Sequence, residues 1–242
     1  MAEQKQTFSL ALTEKLESVN EALPKDFNKT RFVQNAIALV NDNTNLQNYS
    51  QAQLMSGLLK GAYLGLDFYS KEAYLIPYGK QLNYQTSYLG AKKLAKKYSI
   101  RPIKEIASKI VREGDHFEET VEGGESSFIF RPKPFNNAKI IGAFAYVIYE
   151  DGGMVVDSMN LDELETTRKH SKASNSMAWK DFTSEMYRKT VLHRLCKHIE
   201  LDFENPKQID AFMEEMRVVD TPKEEVPDVF DVECEVIEDV VE

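Results

Sequence analysis

The chain is 242 residues long, 42% hydrophobic and 10% aromatic, which suits a folded protein with one substantial core or one domain plus appendages. Its net charge of -9 is unevenly held: residues 201–242 carry fifteen acids against three bases, leaving residues 1–200 with 24 acids and 27 bases, a mildly basic body with an acidic tail. No apolar run approaches the length of a signal-peptide core or a membrane span, which predicts a cytoplasmic protein without membrane contact, and two cysteines, Cys196 and Cys234, exclude a disulfide framework.

Phe8, Leu12, Leu16, Val19 and Leu23 recur at helical spacing between a Thr7 or Ser9 cap and a stop at Pro24. Phe32, Val33, Ala36, Ile37 and Val40 mark a second helix after Asn28 or Thr30. These form an N-terminal segment, residues 1–45, whose amphipathic first helix suits core packing or a subunit contact.

Residues 46–200 are the predicted core unit. It opens with a helix from Ser50 to Gly65, in which Ser50 and Gln53 have capping-box spacing and Gly57, Gly61 and Gly65 repeat every fourth residue. That repeat suits close backbone packing. A Walker phosphate loop would need Gly-Lys-Ser or Gly-Lys-Thr, which the chain lacks, so no nucleotide hydrolysis is expected. Two strand-like runs, Glu72 to Tyr78 and Gln81 to Tyr88, meet at Gly79-Lys80 as an antiparallel hairpin. In the second run Leu82, Tyr84, Thr86 and Tyr88 share one face, and Asn83, Gln85 and Ser87 the other.

The next helix carries the sharpest charge signal. Ala91, Leu94, Ala95 and Tyr98 form an apolar stripe, and Lys92, Lys93, Lys96 and Lys97 crowd the opposite side. From Ser87 to Arg112 eight Lys or Arg stand against Glu105 alone, which predicts a polyanionic partner. A merely solvated lysine face is the alternative. The neighbouring Tyr74, Tyr78, Tyr84 and Tyr88 favour single-stranded nucleic acid, whose bases stack on rings while its phosphates pair with cations; half-buried sheet tyrosines are the alternative for them.

After Arg101-Pro102, strand-like runs at Ile106–Arg112, His116–Val121, Ser127–Arg131, Lys139–Tyr149 and Met154–Met159 are punctuated by tight glycine turns. They imply an antiparallel meander packed by the flanking helices, and the class is α+β. Leu161 to Arg168 reads as a helix with acids at its start, leading into the basic loop Arg168-Lys169-His170-Ser171-Lys172. Trp179, the only tryptophan, opens a long helix, about Ala178 to Ile199, so loop and ring could clamp a nucleic-acid backbone. That helix carries Lys180, Arg188, Lys189, Arg194 and Lys197, and its apolar face drifts round, which predicts basic residues lining a groove between packed elements. His193 and His198 are five residues apart, off a common face, and no third and fourth ligand accompany Cys196, so no metal or other cofactor is expected. No nucleophile has an evident base and no Asp/Glu-x-Lys pair lies on an apolar strand, so no catalytic chemistry is expected.

Asn205-Pro206 starts a last helix, residues 201–219, with Ile209, Phe212, Met213 and Met216 as the stripe that docks on the core or on a partner. Residues 220–242 alternate acids with Val, Ile and Phe and read as a disordered tail whose charge complements the basic groove.

Several of these pieces recur together in a known family. Gly65-Leu66-Asp67, Ala73-Tyr74-Leu75-Ile76-Pro77-Tyr78-Gly79, Gln85, Tyr88, Gly90, Leu94-Ala95 and Val111-Arg112-Glu113-Gly114-Asp115, followed by Asp151-Gly152-Gly153, His170-Ser171-Lys172-Ala173, Trp179, Glu185-Met186-Tyr187-Arg188-Lys189-Thr190 and Arg194, resemble the RecT family of phage single-strand annealing proteins. The resemblance covers most of residues 50–200 and implies a RecT- or Redβ-like core that anneals complementary single strands in homologous recombination, without ATP. It further implies a homo-oligomeric ring or helical filament on single-stranded DNA and annealed duplex, a companion exonuclease, the host single-strand binding protein as a partner, and a bacterial host cytoplasm. Expected DNA-binding residues are Gln85, Tyr88, Lys92, Lys93, Lys96, Lys97, Arg101, Arg112, Lys172, Trp179, Arg188, Lys189 and Arg194, with Tyr88 and Trp179 as aromatic or structural partners. A passive single-strand coat protein and an adaptor that recruits a nuclease or replication partner are the alternatives.

Overall fold

The computed structural model describes residues 2–170 and 177–220. Among these run α1 (Ala2–Ser18), α2 (Lys29–Asp42), α3 (Gln51–Leu64), β1 (Ala73–Tyr78), β2 (Gln81–Thr86), α4 (Tyr88–Tyr98), β3 (Ile103–Arg112), β4 (His116–Glu122), β5 (Glu125–Arg131), β6 (Ile140–Tyr149), β7 (Met154–Asn160), α5 (Leu161–His170), α6 (Met177–Asp181), α7 (Thr183–Cys196) and α8 (Pro206–Asp220). The class is α+β, and every strand pair among them is antiparallel.

The N-terminal half builds one core. Leu12 and Leu16 of α1, Phe32, Val33 and Ala36 of α2, and Leu54, Leu58 and Ala62 of α3 bury together with Leu75 and Tyr84 of the hairpin. The α1 and α2 residues of segment 1–45 therefore share a core with the following segment. α1 starts at Ala2, ahead of the expected Thr7 or Ser9, and stops at Ser18; a 3-10 turn, Asn20–Ala22, carries the chain to Pro24. Local chemistry explains the other boundaries. Asn28 caps α2 by accepting from Arg31 N, and both halves of the Ser50/Gln53 capping box form at α3. α3 ends where Gly65 turns left-handed at φ 68°. Gly57 and Gly61 of α3 stand where a Cβ would fall 2.4 Å from Leu75 and 2.5 Å from Phe68, which accounts for the glycine repeat as close packing.

The C-terminal half builds a second core around a three-stranded sheet in the order β3-β6-β7. β6 is the central strand and is covered on both sides, which is why Ile140–Tyr149 is apolar almost throughout. Its Ala143, Ala145 and Val147 face Trp179, Met186, Val191 and Leu195; the small side chains let α7 lie close. Phe144 and Tyr146 face the other way. The strands between β3 and β6 do not extend this sheet. β4 and β5 form their own two-stranded ribbon, folded over the sheet so that Phe117, Phe128 and Phe130 meet Phe144 with ring centroids 4.5, 5.1 and 5.1 Å apart. The three layers are ribbon, sheet and helix.

α4 joins the halves. Leu94 and Tyr98 bury in the first core and Ala95 in the second. The expected long helix from Ala178 to Ile199 is two helices, α6 and α7, broken at Phe182. Its drifting apolar face is explained by neighbours on several sides: the sheet, α4, α5 and α6 all pack on α7.

α8 docks by a face that shares Phe212 with the predicted apolar stripe but is centred on Gln208 and Ala211. Gln208 is fully buried, its Nε2 donating to Tyr98 Oη at 3.2 Å and its Oε1 accepting from Glu204 N at 2.9 Å. Ala211 and Phe212 turn inward with it, and Ile209 and Met213 are left exposed. A satisfied amide outweighs a methyl group here, because a buried polar side chain with partners costs little and without them costs ~1–3 kcal/mol. The tail at residues 221–242, with Cys234, lies outside the described residues. No described helix is long and apolar enough to cross a membrane.

Candidate nucleic-acid interface

The start of α4 is fixed to the hairpin by Glu72. Its carbonyl accepts from Ser87 N at 3.0 Å, and its carboxylate accepts from Asp67 N at 2.8 Å and Lys93 Nζ at 2.6 Å. Ser87 then caps the helix, its hydroxyl accepting from Leu89 N and Gly90 N, each at 3.1 Å. A Cβ on Gly90 would stand 2.0 Å from Glu72 O, so only glycine lets helix and strand meet this closely. Tyr88, expected at the end of the second strand, is instead the first residue of α4 because Ser87 ends the strand by capping.

The four lysines do not form one unrelieved patch. Lys93 pairs with Glu72 and also donates to Gly65 O at 2.9 Å, and Lys97 pairs with Asp26 at 2.6 Å. The Lys97 hydrogen bond holds the Asp26 carboxyl below its ordinary range. Both pairs are open to water, and such pairs contribute ~1 kcal/mol or less. Lys92 and Lys96 make no hydrogen bond or ion pair among the described residues.

Lys92 lies within electrostatic reach of α7. Its charge works against the burial that pushes the Cys196 thiol up to about 12. On α7, Lys189 lies over the half-buried Tyr88 ring, 5.4 Å from its centroid. α4 and α7 therefore meet along a seam that gathers Tyr88, Lys92 and Lys189. His193 follows one turn after Lys189; burial, helped by the Lys197 charge, pushes it down to about 4, so it is neutral at pH 7 and leaves the seam's charge to lysine.

The four expected arginines also make bonds within the fold. Arg194 Nε and Nη2 donate to the two Asp157 carboxylate oxygens at 2.8 and 2.5 Å, and Nη2 also reaches Ser158 O at 2.7 Å, fastening α7 to β7. Arg101 grips Asp151 in the same two-pronged way at 2.9 and 2.8 Å and covers the Tyr149 ring at 4.1 Å. Arg112 Nη1 donates to Ala138 O at 2.8 Å and Nη2 to Ser184 Oγ at 3.4 Å, tying the end of β3 to the β5–β6 loop and to the first turn of α7. Arg188 donates to Ser108 O at 3.3 Å and to Glu185 at 2.8 Å. Each of these guanidiniums holds elements together.

Trp179 is 0% exposed and packs in the second core beside Tyr187, with Arg168 over its ring at 5.7 Å. Its place is structural. Gln85 is half-buried in β2, paired in register with Tyr74. Lys172 lies outside the described residues. The basic stretch from Ser87 to Arg112 is dispersed: Lys109 shares a strand face with Ala107 and Val111, the residues that meet the ribbon, Arg101 pairs with Asp151 at the surface, and Arg112 bonds inside the fold. Among the described residues no group of three or more His, Cys, Asp or Glu is placed to hold a metal.

Among the expected contacts that are described, Lys92, Lys96 and Lys189 stand outside the ion pairs, and Lys93, Lys97, Arg101 and Arg188 stand in ion pairs open to water. The RecT family model matches residues 30–227, from the start of α2 onward. The chain is also 27% identical to Protein RecT of Escherichia coli (strain K12) over 214 residues, which span 84% of this chain and 78% of that protein. The chain belongs to the RecT family of DNA recombination and annealing proteins.

Proposed function

We propose that the protein binds single-stranded DNA by its phosphates and pairs it with a complementary strand, without nucleotide hydrolysis or covalent chemistry. The observation that carries this reading is the α4–α7 seam, where Lys92 and Lys189 flank Tyr88 and Lys96 stands exposed beside them. Cations on two packed helices give a track for a backbone, and one aromatic face suits a base without reading its identity. Strand pairing itself supplies ~1.4 kcal/mol per base step, so the protein has only to hold strands extended and screen phosphate repulsion. Of the remaining expected contacts, Gln85, Lys93, Lys97, Arg101 and Arg188 belong to the same reading as further points for the strand to touch. Assembly into a ring or filament, a companion exonuclease, the host single-strand binding protein and a cytoplasmic setting belong to this reading and rest on the family.

The test follows two complementary labelled oligonucleotides pairing by energy transfer, with no nucleotide present, across a salt series. Pairing accelerated by the protein, and less so as salt rises, is the expected result. Binding without acceleration would leave a passive coat protein, and no effect of DNA would leave an adaptor.

A further inference from the structure

The loop between β5 and β6 holds out a side chain that the α4–α7 seam does not use. Phe135 is 100% exposed and sits at φ 52°, a left-handed conformation that a bulky residue adopts only when its surroundings impose it. The surroundings here are built. The Asp115 carboxylate accepts from Lys133 N at 2.9 Å, Asn136 Nδ2 at 2.8 Å and Arg112 N at 2.9 Å. Asn136 also donates to Glu113 O at 3.1 Å and accepts from Ala138 N at 2.9 Å, and Arg112 holds Ala138 O. Residues on both sides of Phe135 are thus pinned while its ring stands in water.

A second exposed ring is tied to the same place. Phe182, 62% exposed, marks the break between α6 and α7, two residues before Ser184, whose hydroxyl takes the other arm of Arg112. Arg131, Lys133 and Lys139 border the Phe135 loop, and all three are exposed. A rigid apolar ring bordered by cations is poorly suited to stay in water and well suited to a flat, anionic chain: bases stack on the phenyl face while the cations meet the phosphates.

We propose that Phe135, with Phe182 across Arg112, forms a base-stacking contact for single-stranded DNA, separate from the α4–α7 seam. It rests on the single-strand reading above. The contact is blind to base identity, since every base offers a π-face, but it requires a base to be present.

The test compares Phe135→Ala and Phe135→Leu with the wild-type full-length protein, using fluorescence anisotropy with an oligothymidine and with an abasic oligonucleotide of the same length. Both variants should bind the oligothymidine about tenfold more weakly and the abasic strand as the wild type does; leucine keeps the apolar bulk but lacks the π-face. In Phe135→Trp the added emission should be quenched by oligothymidine and not by the abasic strand, above the steady background of buried Trp179. Unchanged binding of both strands in the alanine and leucine variants overturns the contact while leaving the annealing reading intact. So does a change confined to oligomeric state by sedimentation, which would assign the ring to a second copy of the chain. A wild type that binds neither strand overturns the single-strand reading itself, and the contact with it.

Discussion

Lys189 of α7 rests over the Tyr88 ring of α4, 5.4 Å from its centroid, and this contact sets the two helices that carry the uncommitted lysines side by side. A cation over a ring in partly exposed surroundings contributes ~0.5–1 kcal/mol. It leaves the ammonium hydrogens free to meet a phosphate.

Lys92→Ala, Lys96→Ala and Lys189→Ala should therefore each weaken single-strand binding and lower the slope of log affinity against log salt by about 0.7. Unfolding free energy should move by less than ~0.5 kcal/mol in the first two. Anisotropy titrations at four salt concentrations check the slope. A variant that loses affinity with the slope intact would place its lysine away from the phosphates.

Arg194→Ala should destabilise the fold by about 2 kcal/mol or more, because Asp157 is left half-buried without its bidentate partner and Ser158 O loses a donor. Arg194→Lys should recover only part, since an ammonium cannot span both carboxylate oxygens. Urea titration measures both. If Arg194 met DNA instead, affinity would fall in protein that is still fully folded.

Gly90→Ala should cost about 2 kcal/mol or more, because the new methyl must push Glu72 O away from 2.0 Å and disturb the Ser87 cap with it. Thermal melting reads the loss. A melt unchanged from wild type would mean that the hairpin and α4 meet less closely than described.

The His193 pKa is about 4 in the fold against an ordinary 6.5, so the unfolded chain binds the proton more readily. Stability from this site is complete above pH 6.5 and is lost as pH falls toward 4, by at most about 3 kcal/mol. Asp26 adds to the loss at still lower pH, as its lowered pKa requires. His193→Gln should flatten the stability profile between pH 4 and 6.5 in urea melts; an unchanged profile would assign the acid sensitivity elsewhere.

What the sequence made legible was local. The Gly79-Lys80 turn, the Ser50/Gln53 capping box, the lysine face of α4 and each of the seven strands follow from chemistry within a few residues. What it hid was held by distant partners. Asp157 lies 37 residues before Arg194 and Asp26 lies 71 before Lys97, separations that no sequence spacing links. β3 pairs with β6 across an excised ribbon, a pairing that no local pattern announces. Ser87 was ambiguous because a residue alternating within a strand and a cap look alike until the helix start is fixed. The Pro-Lys-Pro-Phe sequence at residues 132–135 did carry a signal, an aromatic residue among cations in a proline-bounded loop, but its exposure depends on Asp115 and Asn136.

α4 is buried on one side by Leu94 and Tyr98 and on the other by Ala95, so neither half can open without releasing the same helix. Hydrogen exchange should find α4 amides among the slowest in the molecule, opening only with global unfolding. A strand held on Lys92 and Lys96 would then be anchored to the last element to melt, and its grip would persist through breathing motions that transiently free α8 or the ribbon.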